Sequence, residues 1–431
     1  GQGLWVQLIR VWKFRRDTIM YDRYLFVGLG GSGGSTLGYL KNELQRWLEM
    51  HGVETEIPVG WQFLHIDTPM VSDAKPRLPE HEYLGLITAG LQYDHVQTQL
   101  DGDIGIVDEM QTWRVDPTAV NVNLEMGAGQ FRAIGRTIGY AFGRKIRDRI
   151  DTSLGRVKSA NAKNELGEVY FQTTGESPGA ESPIRVVVVS SLAGGTGAGL
   201  LQTVCDILRA RDEEIGQHSF GVLYTPEVFS SLGAASVGGV QPNSLAAICE
   251  LLNGQWWNGS ANKDNLSMVP DPKTPLEMTR AGLPSAITMS GPTYPFLVGR
   301  TSQGGIDHGS PNELYSVVGR SLLSWVTDRQ VQRDFIAYTV GNWNSNAVNH
   351  LMGENTLINE GAEQELGLPS FNALGFARLS TGTEYFERYA MQRIVRDALE
   401  QVTRFHVDSR EARKVAQDLD TEDPDEIADH I

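Results

Sequence analysis

The chain has 431 residues, of which 40% are hydrophobic and 21% charged, as expected for a folded protein of two or three domains of about 150 residues each. Its 53 acidic and 37 basic residues give a net charge of −16, which argues against general nucleic-acid binding. This charge is compatible with a single phosphate ligand, because backbone N–H groups and a metal ion can hold one.

The first 19 residues predict a basic amphipathic tail. Leu4, Trp5, Leu8, Ile9 and Trp12 share one helical face, with basic residues beside it. Such a pattern is typical of peripheral membrane contact or of a partner-binding helix, here through residues 1–16. We favour a tail outside the native protein, with the natural start at Met20, because the next residues enter the first strand at once.

A β-loop-α-β unit comes next. Tyr24–Val27 predicts a strand, Gly28–Gly34 a glycine loop, and 36–50 a helix with leucines on one face. A second strand over Trp61–Ile66 ends at Asp67-Thr68. This order favours a parallel sheet with helical crossovers.

The middle of the chain contains two further glycine-rich segments. Gly127-Ala128-Gly129 precedes a predicted helix over Phe131–Ile150, and the polar stretch 153–182 predicts a long surface connection. Ile184–Val189 is apolar almost throughout, as expected for a central parallel strand. A second glycine loop is found at 193–199.

Beyond it we expect a helix over 200–211 and strands over Phe220–Tyr224 and Tyr294–Val298. The residues Glu313–Val326 have amphipathic spacing, which predicts a helix over 310–327. The character then changes, and 328–416 predicts a smaller α+β domain with strands over Phe335–Val340 and Ala373–Leu379. The acidic stretch 417–431 predicts a tail.

Two cysteines, Cys205 and Cys249, lie in apolar helical patterns. They predict buried free thiols in a reducing, cytoplasmic compartment. No cysteine or histidine cluster has the spacing of a metal site.

The two glycine loops indicate phosphate binding. Glycine permits positive φ angles and close approach of the backbone to a ligand, and the helix after each loop points unpaired N–H groups and its positive dipole end at the same place. Thr196 adds a hydroxyl that can bond to a phosphate or to metal-bound water.

Two known classes of nucleotide site can be compared with these loops. Gly28, Gly30 and Gly33 fit G-x-G-x-x-G, and Asp67 ends the next strand, so a Rossmann-type dinucleotide-binding oxidoreductase is an alternative. A P-loop is excluded because neither loop contains its lysine. A second phosphate loop far downstream favours a different class.

Residues 193–199, Ala-Gly-Gly-Thr-Gly-Ala-Gly, resemble the signature of the tubulin/FtsZ superfamily. The other loops resemble that superfamily in the same order. Asp67-Thr68 lies where FtsZ-like chains carry Asn-Thr-Asp, and Gly127–Gly129 resembles the loop near the γ-phosphate. The region 374–382 is most similar to divergent bacterial tubulin-like proteins.

The resemblance implies an α/β fold with a doubly wound, mostly parallel sheet. It divides the chain into a GTP-binding domain at 20–309, a central connecting helix at 310–327 and the smaller domain at 328–416. It implies GTP or GDP as ligand, with Mg²⁺. The nucleotide contacts that it implies are Gly30, Gly31, Ser32, Gly33, Gly34, Asp67, Thr68, Gly127, Ala128, Gly129, Ala193, Gly194, Gly195, Thr196, Gly197, Ala198, Gly199, Glu227 on the ribose side, and Asn243 and Asn312 near the base.

In this superfamily, acidic residues after the central helix complete the GTPase site of the next subunit. Asp328 and Asp334 are the acidic residues at this place, although the Asn-x-Asp-like pattern is absent. A carboxylate there would orient the attacking water. The sequence supports GTP binding better than hydrolysis.

The resemblance therefore implies a GTPase that self-associates head to tail into nucleotide-dependent filaments. One alternative is a GTP-sensing module that does not polymerise and serves an unknown protein partner in a larger complex, such as a defence or envelope system. The oxidoreductase is the second alternative.

Overall fold

A computed structural model describes residues 20–54, 56–102, 110, 113–120, 122–180, 182–232, 238–256, 290–302, 304–337, 371–375, 386 and 389–401. The predicted tails at 1–19 and 417–431 lie outside these residues. Within the predicted second domain, 328–337, 371–375, 386 and 389–401 are described. The last of these segments is helical and belongs to a separate compact unit.

A seven-stranded, all-parallel sheet forms the centre of the first unit, in the order β3-β2-β1-β4-β5-β6-β7. Its strands are β1 (Arg23–Leu29), β2 (Trp61–Asp67), β3 (Tyr83–Gly85), β4 (Ile184–Ser191), β5 (Ser219–Tyr224), β6 (Tyr294–Val298) and β7 (Asn372–Ala373). The central pair β1 and β4 align Val27 with Val188. Both strands are buried because helices cover both faces of the sheet.

Helices pack on the two faces of the sheet around two separate apolar cores. One face carries α2 (Tyr93–Asp101), α3 (Arg132–Lys158), α5 (Gly195–Arg211), α6 (Glu213–Gln217) and α7 (Val240–Trp256). The other carries α1 (Gly30–Met50), α4 (Ala160–Thr174) and α8 (Pro311–Thr327), and α9 (Arg329–Ile336) comes directly after α8. The doubly wound α/β fold predicted from the sequence is confirmed, and the sheet is entirely rather than mostly parallel.

Helix α8 has the start signals of a stable helix. The Ser310 hydroxyl accepts a hydrogen bond from the Glu313 N–H at 3.3 Å, and Pro311 occupies the first turn. The helix packs along α1, where a Cβ at Gly319 would lie 3.0 Å from the Leu40 nitrogen. The predicted division into domains around this helix stays a prediction.

Three local predictions were wrong. Cys249 was expected to be buried and is an exposed free thiol, whereas Cys205 is buried. The stretch 153–182 is no surface connection: α3 continues to Lys158, and α4 begins after the Ser159 cap and buries Leu166 and Tyr170. A strand was expected over Phe335–Val340, but Phe335 belongs to α9. Ser153 and Gly167 lie among the buried positions, so apolar residues alone do not show the helical spacing.

The central strands should dominate the stability of this unit. We expect Leu25→Ala, in β1 and fully buried, to lower the free energy of unfolding by about 2–5 kcal/mol, because it leaves a cavity between packed layers. Leu245→Ala in α7 removes the same atoms from a side chain that is 66% exposed, and should change it by less than about 0.5 kcal/mol. Urea unfolding of both variants measures the contrast, and equal costs would contradict this packing.

Candidate nucleotide site

Two glycine-rich turns lie side by side at the carboxyl edge of the sheet. They come after β1 and β4, which are neighbours, so the chain leaves both strands at the same place. Gly30 has a φ of 67°, and a Cβ there would lie 3.2 Å from the Gly197 nitrogen. Glycine is required at this position by both its conformation and its surroundings.

The glycines belong to the helices rather than to loops before them. α1 begins at Gly30 and α5 at Gly195, whereas the sequence predicted helix starts at 36 and about 200. Neither helix has a side-chain cap or an acidic residue in its first turn. The first-turn N–H groups and the positive dipole ends of both helices therefore favour an anion at this edge.

The segment Gly127–Gly129 forms the third wall. The Gly195 N–H donates to the Gly129 carbonyl oxygen at 2.9 Å. In helix α3, a Cβ at Gly135 would lie 2.2 Å from the Gly195 carbonyl oxygen, so α3 and α5 are in backbone contact. We call Gly30–Gly34, Gly127–Gly129 and Gly195–Gly199 together the glycine cradle.

A buried threonine ties two walls of the glycine cradle to β2. The Thr68 hydroxyl lies 2.9 Å from the Thr196 hydroxyl and accepts a hydrogen bond from the Ala128 N–H at 3.1 Å. Thr68 is fully buried, and its own N–H donates to the Asp67 carboxylate at 2.7 Å. The structure thus brings Asp67, Thr68, Ala128 and Thr196 together, as their predicted roles require.

His65 positions the first wall, a role that sequence reasoning missed. It lies in β2 and is fully buried. Its Nε2 lies 3.0 Å from the Gly30 carbonyl oxygen, and its Nδ1 lies 3.3 Å from the Ser72 hydroxyl. A Cβ at Gly34 would collide with the imidazole. One signal was present in the sequence: His65 stands two residues before Asp67, on the strand beside the first glycine turn.

The predicted base and ribose contacts are less closely grouped. The Asn243 amide donates to the carbonyl oxygens of Gln130 at 2.6 Å and Ala193 at 2.9 Å, so it links two segments that adjoin cradle walls. Glu227 is exposed in the 3₁₀ turn Pro226–Phe229 after β5, and Asn312 is exposed in the first turn of α8. Both hydrogens of the Asn243 Nδ2 are used in these bonds, so Oδ1 is the atom left for contact with a base.

The predicted catalytic carboxylates lie at the opposite edge of the sheet. Helix α8 starts beside the cradle, where the Tyr315 hydroxyl is 2.9 Å from the Ser32 hydroxyl. It ends beside the start of β1, where the Tyr24 hydroxyl donates to the Trp325 carbonyl oxygen at 3.0 Å. Seventeen residues at 1.5 Å per residue separate the two ends by about 25 Å.

Both carboxylates have local partners. Asp328 is exposed and caps α9, accepting from the N–H groups of Gln330 at 2.8 Å and Val331 at 3.1 Å. Asp334 is exposed and accepts from the Gln330 amide at 2.7 Å. The structure does not bring either residue to the glycine cradle of its own chain.

Neither a metal cluster nor a spanning helix is found in the part of the chain that the structure describes. It contains no group of three or more histidine, cysteine or acidic residues that could hold a metal ion. None of the helices in these segments is long and apolar enough to cross a membrane.

A protein-family model described as tubulin-like matches residues 25–400, which is most of the chain. The chain therefore belongs to the tubulin-like family, and its resemblance to the tubulin/FtsZ superfamily is confirmed. No curated protein matches the chain.

Solved structures of two archaeal proteins resemble it. CetZ from Methanosaeta thermophila is 12% identical, with a TM-score of 0.35 over 70% of this chain and 53% of that one. CetZ2 from Haloferax volcanii, in a GTPγS-bound protofilament, is 14% identical, with a TM-score of 0.36 over 72% of this chain and 62% of that one. The chain thus spans about half to three-fifths of the solved chains that it matches.

The contact between α3 and α5 predicts an opposite response of two glycines in one helix. Gly135→Ala should lower the free energy of unfolding by about 1–3 kcal/mol, because its methyl group would collide with the Gly195 backbone. Gly155→Ala meets no atom within 4 Å and should raise it by about 0.5–1 kcal/mol through helix propensity. Urea unfolding compares the two, and a neutral Gly135→Ala would show that the helices can separate freely.

Proposed function

We propose that this chain binds GTP at the glycine cradle and hydrolyses it in self-associated, head-to-tail assemblies. The observation that carries the proposal is the meeting of two uncapped helix N-termini and the Gly127–Gly129 segment at one edge of the sheet. Membership of the tubulin-like family supports a nucleotide as the anion.

The residues present fit a nucleotide in several respects. The phosphates would lie against residues 30–34, 127–129 and 194–199. Most of these residues are glycine or alanine, and the few others have short side chains. Thr196 offers its hydroxyl to a phosphate or to water on a nucleotide-bound Mg²⁺. Glu227 follows β5 and Asn312 follows β6. These two residues would lie on the side of the ribose and the base.

The separation of the two edges supports self-association. The Tyr315 hydroxyl contacts Ser32 of the cradle, and Asp328 follows 13 residues later, about 20 Å along the helix. Such a distance excludes direct contact within one chain. A second copy stacked head to tail would place that end of its sheet over the first cradle, where a carboxylate can orient water.

A GTP-sensing module that binds without turnover is the second candidate, and the geometry around Asp328 favours it. This carboxylate already caps α9 with two hydrogen bonds, and Asp334 is engaged by Gln330. Both carboxylates are thus oriented by bonds within their own chain, so GTP binding could serve recognition by a partner protein instead.

A thermal-shift panel tests the ligand. GTP and GDP at about 100 times their dissociation constants should stabilise the chain by about 2.7 kcal/mol, whereas NAD at the same concentration should have no effect. ATP serves as the control for base recognition. Stabilisation by NAD, with none by GTP or GDP, would refute GTP binding.

Asp328→Asn separates catalysis from folding, because asparagine caps a helix as well as aspartate does. If Asp328 serves a neighbouring site, GTP turnover per chain should rise with wild-type concentration and fall at least about tenfold in the variant, with GTP affinity unchanged. Phosphate release and analytical sedimentation measure turnover and assembly. If turnover changes neither with concentration nor with the substitution, completion of the GTPase site by a neighbouring chain is refuted.

A further inference from the structure

A cluster of three charged side chains lies behind the glycine cradle. Arg132 and Arg136, in the first turns of α3, both contact the same carboxylate oxygen of Glu250 in α7. The Arg132 and Arg136 side chains are 11% and 18% exposed. Two guanidinium groups share one carboxylate, so the cluster carries an excess positive charge in a largely desolvated place.

The cluster is directly connected to the cradle. Arg132 is three residues beyond Gly129, and a Cβ at Gly199 would lie 2.7 Å from the Arg132 carbonyl oxygen. The segments 28–34, 127–129 and 193–199 contain neither lysine nor arginine. Arg132 adjoins these segments and is a cation. Its long side chain can reach the Gly127–Gly129 wall.

The two arginines are held very differently. Arg136 donates to the Gln202 side chain at 2.9 Å and lies over the rings of Trp113 at 5.6 Å and Tyr140 at 5.8 Å. The side chain of Arg132 contacts Glu250, while its buried Nε has no hydrogen-bond partner among the described residues. Burial, above all, lowers the pKa of Arg132, so an additional anion beside it would be favourable.

We propose that Arg132 recognises the terminal phosphate of a bound nucleoside triphosphate, by turning from Glu250 toward the Gly127–Gly129 wall. This inference rests on the proposed GTP site. The exchange leaves no buried carboxylate unpaired, because Arg136 stays on Glu250 at 3.0 Å. A guanidinium can present two parallel N–H groups to phosphate oxygens, and GDP lacks the phosphate that it would contact.

Dissociation constants for GTPγS and GDP test the proposal. We expect Arg132→Ala to weaken GTPγS binding by at least about tenfold and GDP binding by less than twofold, as loss of a charge-assisted hydrogen bond requires. Arg144→Ala is the matched control: it removes the same charge from an exposed position of the same helix and should change neither affinity. An equal loss for both nucleotides, or no loss, would overturn the proposal.

Glu250→Gln provides a second test that does not depend on Arg132→Ala. It frees Arg132 from its ionic partner, so the preference for GTPγS over GDP should increase by a few-fold, measured at a temperature at which the variant is fully folded. An unchanged or smaller preference overturns the proposal. A wild-type chain that binds neither nucleotide refutes the GTP site itself, an outcome that differs from binding both nucleotides with no contribution from Arg132.

Discussion

The backbone contact between α3 and α5 is the constraint on which the site depends. With Gly135 and Gly195 in place, the first turns of these helices touch, and the Gly195 N–H reaches the Gly129 carbonyl. A single methyl group at Gly135 would push the walls apart, beyond the donor–acceptor distances over which a hydrogen bond forms. The parallel pairing of β1 with β4 sets the remaining distance, since it places Gly30 against Gly197. Close approach of backbones, rather than charged side chains, shapes the cradle.

Buried polar groups then hold the walls in register. Thr68 connects β2 to two walls, His65 contacts the Gly30 carbonyl, and Asn243 joins Gln130 to Ala193. Each such hydrogen bond contributes only about 1 kcal/mol net, but a broken one leaves a buried group without a partner. The walls therefore keep their spacing without help from a ligand. A ligand that binds here meets donors already oriented, which reduces the entropy lost on binding.

Sequence reasoning predicted the strands and the glycine segments because both are short and locally encoded. Ile184–Val189 is the clearest strand because it is apolar almost throughout, and the Gly-Gly-Thr-Gly run predicts a phosphate site. It misplaced the starts of α1 and α5, because glycine lowers helix propensity although here it opens the first turn. It could not order 70–126, where the three residues of β3 depend on pairing with β2. The bracing roles of His65 and Asn243 arise from contacts across 35 and 113 residues of sequence, which no local pattern encodes.

Strand order alone would not have distinguished a GTP site from a dinucleotide site. The six strands from β3 to β6 have the order 3-2-1-4-5-6, which is also that of the Rossmann fold, and Gly28, Gly30 and Gly33 fit its fingerprint. The two classes differ in the segment after β4. In this chain, that strand leads into a second uncapped glycine turn in contact with the first, so two helix N-termini meet at one place. Because the same sheet serves both chemistries, the turn after β4 and the family membership, and not the fold, carry the assignment.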